Sequence, residues 1–424
     1  MRDARSIGAT TRPDWALRAG CLYAALVPFQ PVITLPDGSP LRIAAAELVA
    51  PFLIVAAVVR PQRRLAPGLG LMLLALATIA LLSTLLAAMH RPLTGYAVGK
   101  TAGLLYVTAV GLALARALPP ASELRLLRAL AAGGWLSALI GLMGFALWTR
   151  GYRTSLVEWE RLCSTMAGDP NIYGSLLAIT MLVTATDTRR SPAGRVVRVA
   201  TLGVALALTG SRSAFLALLV GAVVYGVVRN RSPWPVAGRS VYRLSAVGVV
   251  MALLLLTEPG RSAAQLAWDR TWRTVTVESR FDLYGRALEQ WGQHPFVGLG
   301  IGGFYELNAW GAGGREHYAV HNTYLWALVD VGIVGGLLLA ATLAGAIVRC
   351  VRAAPHQRAI AAVVAGSLAA MAVFNLFIDG YYQRHLWVLI ACALGMPVVR
   401  ARRHAFAPHE PAVPAASLEW ARAR

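Results

Sequence analysis

The sequence predicts an all-α polytopic membrane protein with about twelve transmembrane helices and one large outer loop containing short helices. Three observations predict it. The 424 residues are 57% hydrophobic and only 14% charged, with a mean hydropathy of +0.57, which is more apolar surface than a soluble core can hide. Apolar runs long enough for a helix to cross a bilayer recur along the chain. The basic residues, which give a formal net charge of +20, cluster in short loops between those runs. Topology therefore explains most of the charge, and nucleic acid is not expected as a partner. Lys100 is the only lysine; every other cation is arginine.

In order, the predicted spans are roughly 16–35, 42–59, 67–88, 95–117, 126–148, 170–187, 196–210, 213–228, 244–257, 322–348, 359–378 and 386–399. One long span through 196–228 would put Arg212 near mid-membrane, which is costly, so a break at Ser211-Arg212-Ser213 is the cheaper reading. Alternate loops carry the arginines: Arg60, Arg63 and Arg64; Arg116, Arg125 and Arg128; Arg189, Arg190, Arg195 and Arg198; Arg229, Arg231, Arg239 and Arg243; Arg349, Arg352 and Arg358; Arg400, Arg402 and Arg403. The positive-inside rule makes these loops and both termini cytoplasmic. Loops 36–41, 89–94, 149–169, the 211–213 break, 258–321 and 379–385 then face outward. Four regions result: spans one to nine over 1–257, the large outer loop 258–321 with the candidate site, spans ten to twelve over 322–400, and a tail at 401–424 expected to be disordered.

Within the outer loop, "SRFDLYGRALEQWGQHPF" reads as an amphipathic helix, with Leu283, Ala287, Leu288 and Trp291 on one face and His294-Pro295 ending it. "VGLGIGGF" is a glycine-rich turn. The loop also holds Arg261, Arg270, Arg273, Arg280, Arg286 and Arg315, which the positive-inside rule does not explain. Cys21, Cys163, Cys350 and Cys392 show no paired spacing, so neither a disulfide framework nor a metal cluster is expected.

His321 opens a span directly after a polar loop, where a neutral imidazole suits a general base and a structural histidine at the interface is the alternative. Arg212 starts a helix behind Ser211, a plausible N-cap, and so marks an anion site or a snorkelling anchor. Arg280, one residue before the amphipathic helix, invites the same argument. In "GDPNIYGSLLA", Asp169 caps a helix that Pro170 begins, while Asp169 and Asn171 also suit sugar hydroxyls. His317 and His321 are four apart and would share a metal on a helix, but no third ligand is evident and "EHYAVH" is not HExxH. "GLGIGG" spells GxGxxG without the strand-turn-helix unit that a dinucleotide site needs.

Taken together, "GSRS", then "SRFDLYGRALEQWGQHPFVGLGIGGF", then H-N-x9-G-x-x-G at His321, Asn322, Gly332 and Gly335 resemble the O-antigen ligase family, within the superfamily of O-antigen polymerases and O-oligosaccharyltransferases. The resemblance covers roughly 165–390 in motif order; the first 160 residues add only hydropathy. It implies a metal- and cofactor-independent, inverting glycosyltransferase in the bacterial inner membrane, with its site on the periplasmic face and 258–321 as a periplasmic loop. The implied donor is a glycan on undecaprenyl diphosphate, and the acceptor a sugar hydroxyl of lipid A–core. His321 would be the catalytic base, and Arg212 and Arg280 would hold the diphosphate. Asn322, Asp169, Asn171, Arg286 and His317 are supporting candidates. A polymerase would use the same donor with a second lipid-linked glycan. A lipid-linked glycan flippase would instead place charges mid-span and show repeated halves.

Overall fold

The computed structural model describes residues 14–30, 32–34, 40–42, 44–63, 65–166, 169–230, 275–310, 316–317, 319–353 and 355–398. The predicted span 244–257, the tail 401–424 and Arg261, Arg270, Arg273 and Arg315 lie outside the described residues. The described chain is mostly helical, with three small antiparallel hairpins: β1–β2 (Val32–Thr34, Pro40–Arg42), β3–β4 (Val157–Glu158, Arg161–Leu162) and β5–β6 (Ala309–Trp310, Glu316–His317). Short loop strands of this kind leave no signal in hydropathy.

Helix α1 (Trp15–Leu26) is capped by Asp14, whose carboxylate accepts from the Ala16 and Leu17 amides at 3.1 and 3.3 Å. It stops well short of the predicted 35, because Pro28 and Pro31 cannot donate to a continuing helix. Then follow α2 (Ala50–Val59), α3 (Pro67–Ala88), α4 (Gly95–Ala117), α5 (Glu123–Trp148), α6 (Pro170–Thr186), α7 (Pro192–Leu208) and α8 (Arg212–Asn230). After the undescribed stretch come α9 (Val275–Gln293), α10 (Gly303–Leu307), α11 (Thr323–Val351), α12 (Arg358–Phe374) and α13 (Arg384–Gly395). Among the described residues, six helices are long and apolar enough to cross a membrane: α3, α4, α5, α8, α11, and α12 with the turn before it. Helices α2, α6 and α13 are apolar but shorter, 10–17 residues.

One end of the bundle is tied by buried arginines. Arg63 meets Glu123 at 2.5 Å, Arg128 places two nitrogens on Asp187 at 3.1 and 2.7 Å, and Arg349 donates to the Ala393 and Met396 carbonyls at 2.8 and 2.5 Å. Between the ends, α8 and α12 form the most extensive helix pair among the described residues. Gly221 and Gly366 let them touch backbone to backbone: a Cβ at 221 would stand 2.7 Å from the Gly366 carbonyl oxygen, and one at 366 would stand 2.5 Å from that of Gly221. Such small-residue contacts let helices pack closely where lipid supplies no hydrophobic drive.

At the other end, the glycine-rich turn 298–303 is sewn onto α11. Both Asp330 carboxylate oxygens accept backbone amides, from Gly302 at 2.7 Å and Phe304 at 2.9 Å. The Ser83 hydroxyl on α3 lies 2.6 Å from the Val297 carbonyl and 2.9 Å from that of Asp330. Arg91 donates to the Leu299 carbonyl at 2.7 Å and pairs with Glu306 at 3.2 Å. Gly332 breaks the α11 path at φ 77°, and a Cβ there would lie 2.1 Å from the Phe296 carbonyl oxygen. Only glycine fits at that crossing.

Candidate functional site

At this second end, four segments far apart in sequence bring charged side chains together. The first is the β3–β4 hairpin, which carries Arg161. Its guanidinium donates to the Thr209 carbonyl at 2.6 Å and to Asn171 Oδ1 at 2.7 Å, joining the turn before α8 to the start of α6. The second is the α6 N-terminus, where Asp169 Oδ1 accepts from the Asn171 and Ile172 amides at 2.9 and 3.1 Å. The cap reading of Asp169 thus holds, and the Asn171 oxygen is engaged by Arg161 rather than open to a sugar. The third is the start of α8. Arg212 is its first residue, and the buried Ser211 in the cap position lies 3.2 Å, hydroxyl to hydroxyl, from Ser213. The fourth is α9.

Helix α9 begins earlier than the sequence suggests, at Val275, so Arg280 lies inside it rather than just before it. Leu283 and Ala287 are buried against Phe304, Val320 and Val329, as the apolar face requires. Leu288 is 50% exposed and leaves that face, because one residue turns a helix by about 100°. Arg286 is also exposed, away from the buried stripe.

His321 sits at φ 53°, in the left-handed region, immediately before α11. The helix cap is the next residue: Asn322 Oδ1 accepts from the Tyr324 and Leu325 amides at 3.0 and 3.1 Å. Asn322 therefore positions the helix, and that frees His321 from a capping role. The Tyr284 hydroxyl of α9 reaches the His321 carbonyl at 3.4 Å. Glu316 and His317 pair as a strand with 309–310, so His317 and His321 do not share a helix turn and the i, i+4 geometry for a metal does not arise. The His317 side chain lies outside the described residues.

Electrostatics links these segments. Burial holds the His321 imidazole below its ordinary value; Asp379 and Asp169 pull it up and Arg280 pushes it further down. Burial raises the Asp379 carboxyl, against His321 and Lys100, with Asp169 adding to the rise. Asp169 is also raised by burial, against its two backbone donors, His321 and Arg161. Arg161 is lowered by burial, with Asp169 opposing and Arg212 and Arg280 adding. His321, Arg212, Arg280 and Asp169 thus belong to one charged cluster. Arg161, Asp379 and Lys100 join it, none of them singled out in the sequence as site residues. Lys100 carried a faint signal as the chain's one lysine, close to the start of an apolar helix. Asp379 carried another, as an acid directly after an apolar run.

The fold and the cluster define a multi-pass helical membrane protein with several arginines and a half-buried histidine gathered at one end. Residues 198–340, about a third of the chain, match the family described as O-Antigen ligase. No curated protein matches the chain. The matched segment contains Arg212, Arg280, His321, Asn322, Gly332 and Gly335. Lys100, Arg161, Asp169 and Asp379 lie outside it, supplied by flanking parts of the chain.

Proposed function

We propose that the protein is an O-antigen ligase. It moves a glycan from undecaprenyl diphosphate to a sugar hydroxyl of lipid A–core, at the periplasmic face of the bacterial inner membrane, with no metal in the step. The observation that carries this reading is a run of charged neighbours at one end of the bundle, His321 beside Arg280, and Arg161 beside both Arg280 and Arg212. A diphosphate leaves readily once its charge is neutralised, and arginine forks suit its oxygens. Arg212, at the start of α8, and Arg280, on α9, are the arginines assigned to the diphosphate of the donor.

In the reaction, His321 takes the proton from the acceptor hydroxyl as its oxygen attacks the anomeric carbon. The bond from that carbon to the diphosphate oxygen breaks on the opposite face, so configuration inverts, and undecaprenyl diphosphate leaves with the electron pair. The imidazolium then returns its proton to water. Asp379 favours the charged imidazole, so it stabilises the state reached as the proton moves.

The test is transfer by purified protein given lipid-linked glycan and lipid A–core, with chelator and without nucleotide. Glycosylated lipid A–core is the expected product. Elongated lipid-linked glycan, formed from the donor alone, would instead identify a polymerase. Product in neither arm would overturn the enzyme reading.

A further inference from the structure

Beside the cluster is a cleft that no step above uses. It has room for about one water molecule, ≈ 10 Å³, and Tyr96, Lys100, Tyr305, Val320, Asp379 and Tyr382 are among the residues lining it. Val320 immediately precedes His321, so the cleft opens next to the base. Its walls are aromatic. Tyr96 and Tyr305 stack at 4.0 Å on one side, and Trp326, Tyr381 and Tyr382 form a ladder with 3.7 Å steps on the other. Lys100 Nζ stands 5.3 Å from the Tyr96 ring centre and 4.6 Å from that of Tyr382, between the walls. Asp379 Oδ1 is shielded from solvent and has no hydrogen-bond partner among the described residues.

We propose that this cleft takes one hydroxyl of the acceptor's sugar, gripped at Asp379, Tyr382 and Lys100, while the ring lies across its aromatic mouth. The assignment rests on the ligase reading. Flat aromatic faces with a few fixed polar groups are what a sugar ring needs, since it is apolar on its faces and polar at its rim. A buried acceptor atom without a donor is costly, and a hydroxyl supplies the missing proton. Placement separates the two substrates. The neighbours of Arg161 are Asp169, Arg212 and Arg280, an anion's surroundings; those of Asp379 include His321 and Lys100. His321 shares Arg280 with the first group and Asp379 with the second, and Asp169 acts on both. A lysine also suits this position better than an arginine. Its ammonium is a compact donor that meets a single oxygen, whereas the guanidinium fork is shaped for the paired oxygens of phosphate.

The same sugar chemistry could come from the donor glycan, and steady-state kinetics with each lipid varied in turn separates the sources. Tyr382→Phe keeps the ring and removes the hydroxyl; Lys100→Met removes the charge. Both should raise the KM for lipid A–core by about ten- to a hundredfold while leaving the donor KM unchanged. A raised donor KM with an unchanged acceptor KM overturns the proposal, as does no change in either. Lys100 also allows a test on the unaltered protein, since it is the only lysine in the chain. Lipid A–core should shield it from an amine-specific reagent, and the lipid-linked donor should not; shielding by the donor alone, or by neither, overturns the assignment. Wild-type turnover is the control. Its absence removes the ligase reading itself, whereas turnover with the wrong KM pattern removes only the cleft.

Discussion

Burial and charge act on His321 in opposite directions, and their balance has a measurable sign. A general base works in its neutral form. Because burial outweighs the two aspartates, the neutral form persists to lower pH than in a free imidazole, whose pKa is about 6.5. The acid limb of kcat/KM should therefore lie below that value. Asp379→Asn removes an influence that raises the imidazole and should shift the limb to still lower pH; Arg280→Ala removes one that lowers it and should shift the limb upward. A limb that stays put in both variants would show that another group is titrating. His321→Ala should cut transfer by about 10²–10⁴-fold while donor binding persists, because the arginines supply the binding. Arg212→Lys and Arg280→Lys should lose donor affinity, and the alanine variants more, since a lysine keeps the charge but not the fork. Arg161→Ala should weaken donor binding as well, and differently: it frees the Thr209 carbonyl and Asn171, so the start of α8 loosens along with the pocket. Thermal unfolding should register that loss.

At the scale of elements, H-N-x9-G-x-x-G resolves into separate jobs. Asn322 caps α11, and Asn322→Ala should cost about 1 kcal/mol in stability. Gly332 yields to the Phe296 carbonyl at a positive φ, so Gly332→Ala should cost more than the cap, through about 1–2 kcal/mol of backbone strain plus the clash. Melting temperatures of the two variants, compared with wild type, check the order. Much of this scale was legible in the sequence. The bounds of α3 and α4 fall where hydropathy puts them, because Pro67 and Thr94 mark their starts, and His90-Arg91 and Pro119-Pro120 follow their ends. The end of α1 was missed, since an apolar run through Pro28 looks continuous to hydropathy while the backbone cannot continue. The placement of Leu288 was missed for a similar reason: a face three residues wide does not say which edge stays buried. His321 and Arg212 could be singled out because each begins or flanks a helix, and Arg280 because it sits on the amphipathic stretch of the loop. Arg161, Asp379 and Lys100 could not, since what makes them site residues is proximity across segments that sequence spacing does not encode.

For the whole molecule, the charge asymmetry predicts which end faces outward. The buried arginine ties, among them Arg63, Arg128 and Arg349, gather at one end, and the cluster around His321 at the other. A cysteine at the exposed Leu288 should therefore react with an impermeant reagent in intact spheroplasts, against a background in which Cys163, Cys350 and Cys392 are buried. Labelling only after lysis would invert the topology. The glycine contact between α8 and α12 bears on this end from a distance. Gly221 is nine residues from Arg212, roughly 13 Å down the helix axis at 1.5 Å per residue. The turn carrying Asp379 follows directly from α12. Two hydrogen atoms midway along the helix pair thus act as a spacer gauge for the His321 end: a single methyl group at either glycine would splay the pair like the blades of scissors, widening the gap between Arg212 and Asp379. A lesion of this kind would leave every reactive side chain intact and still be read, in an assay, as a fault of catalysis.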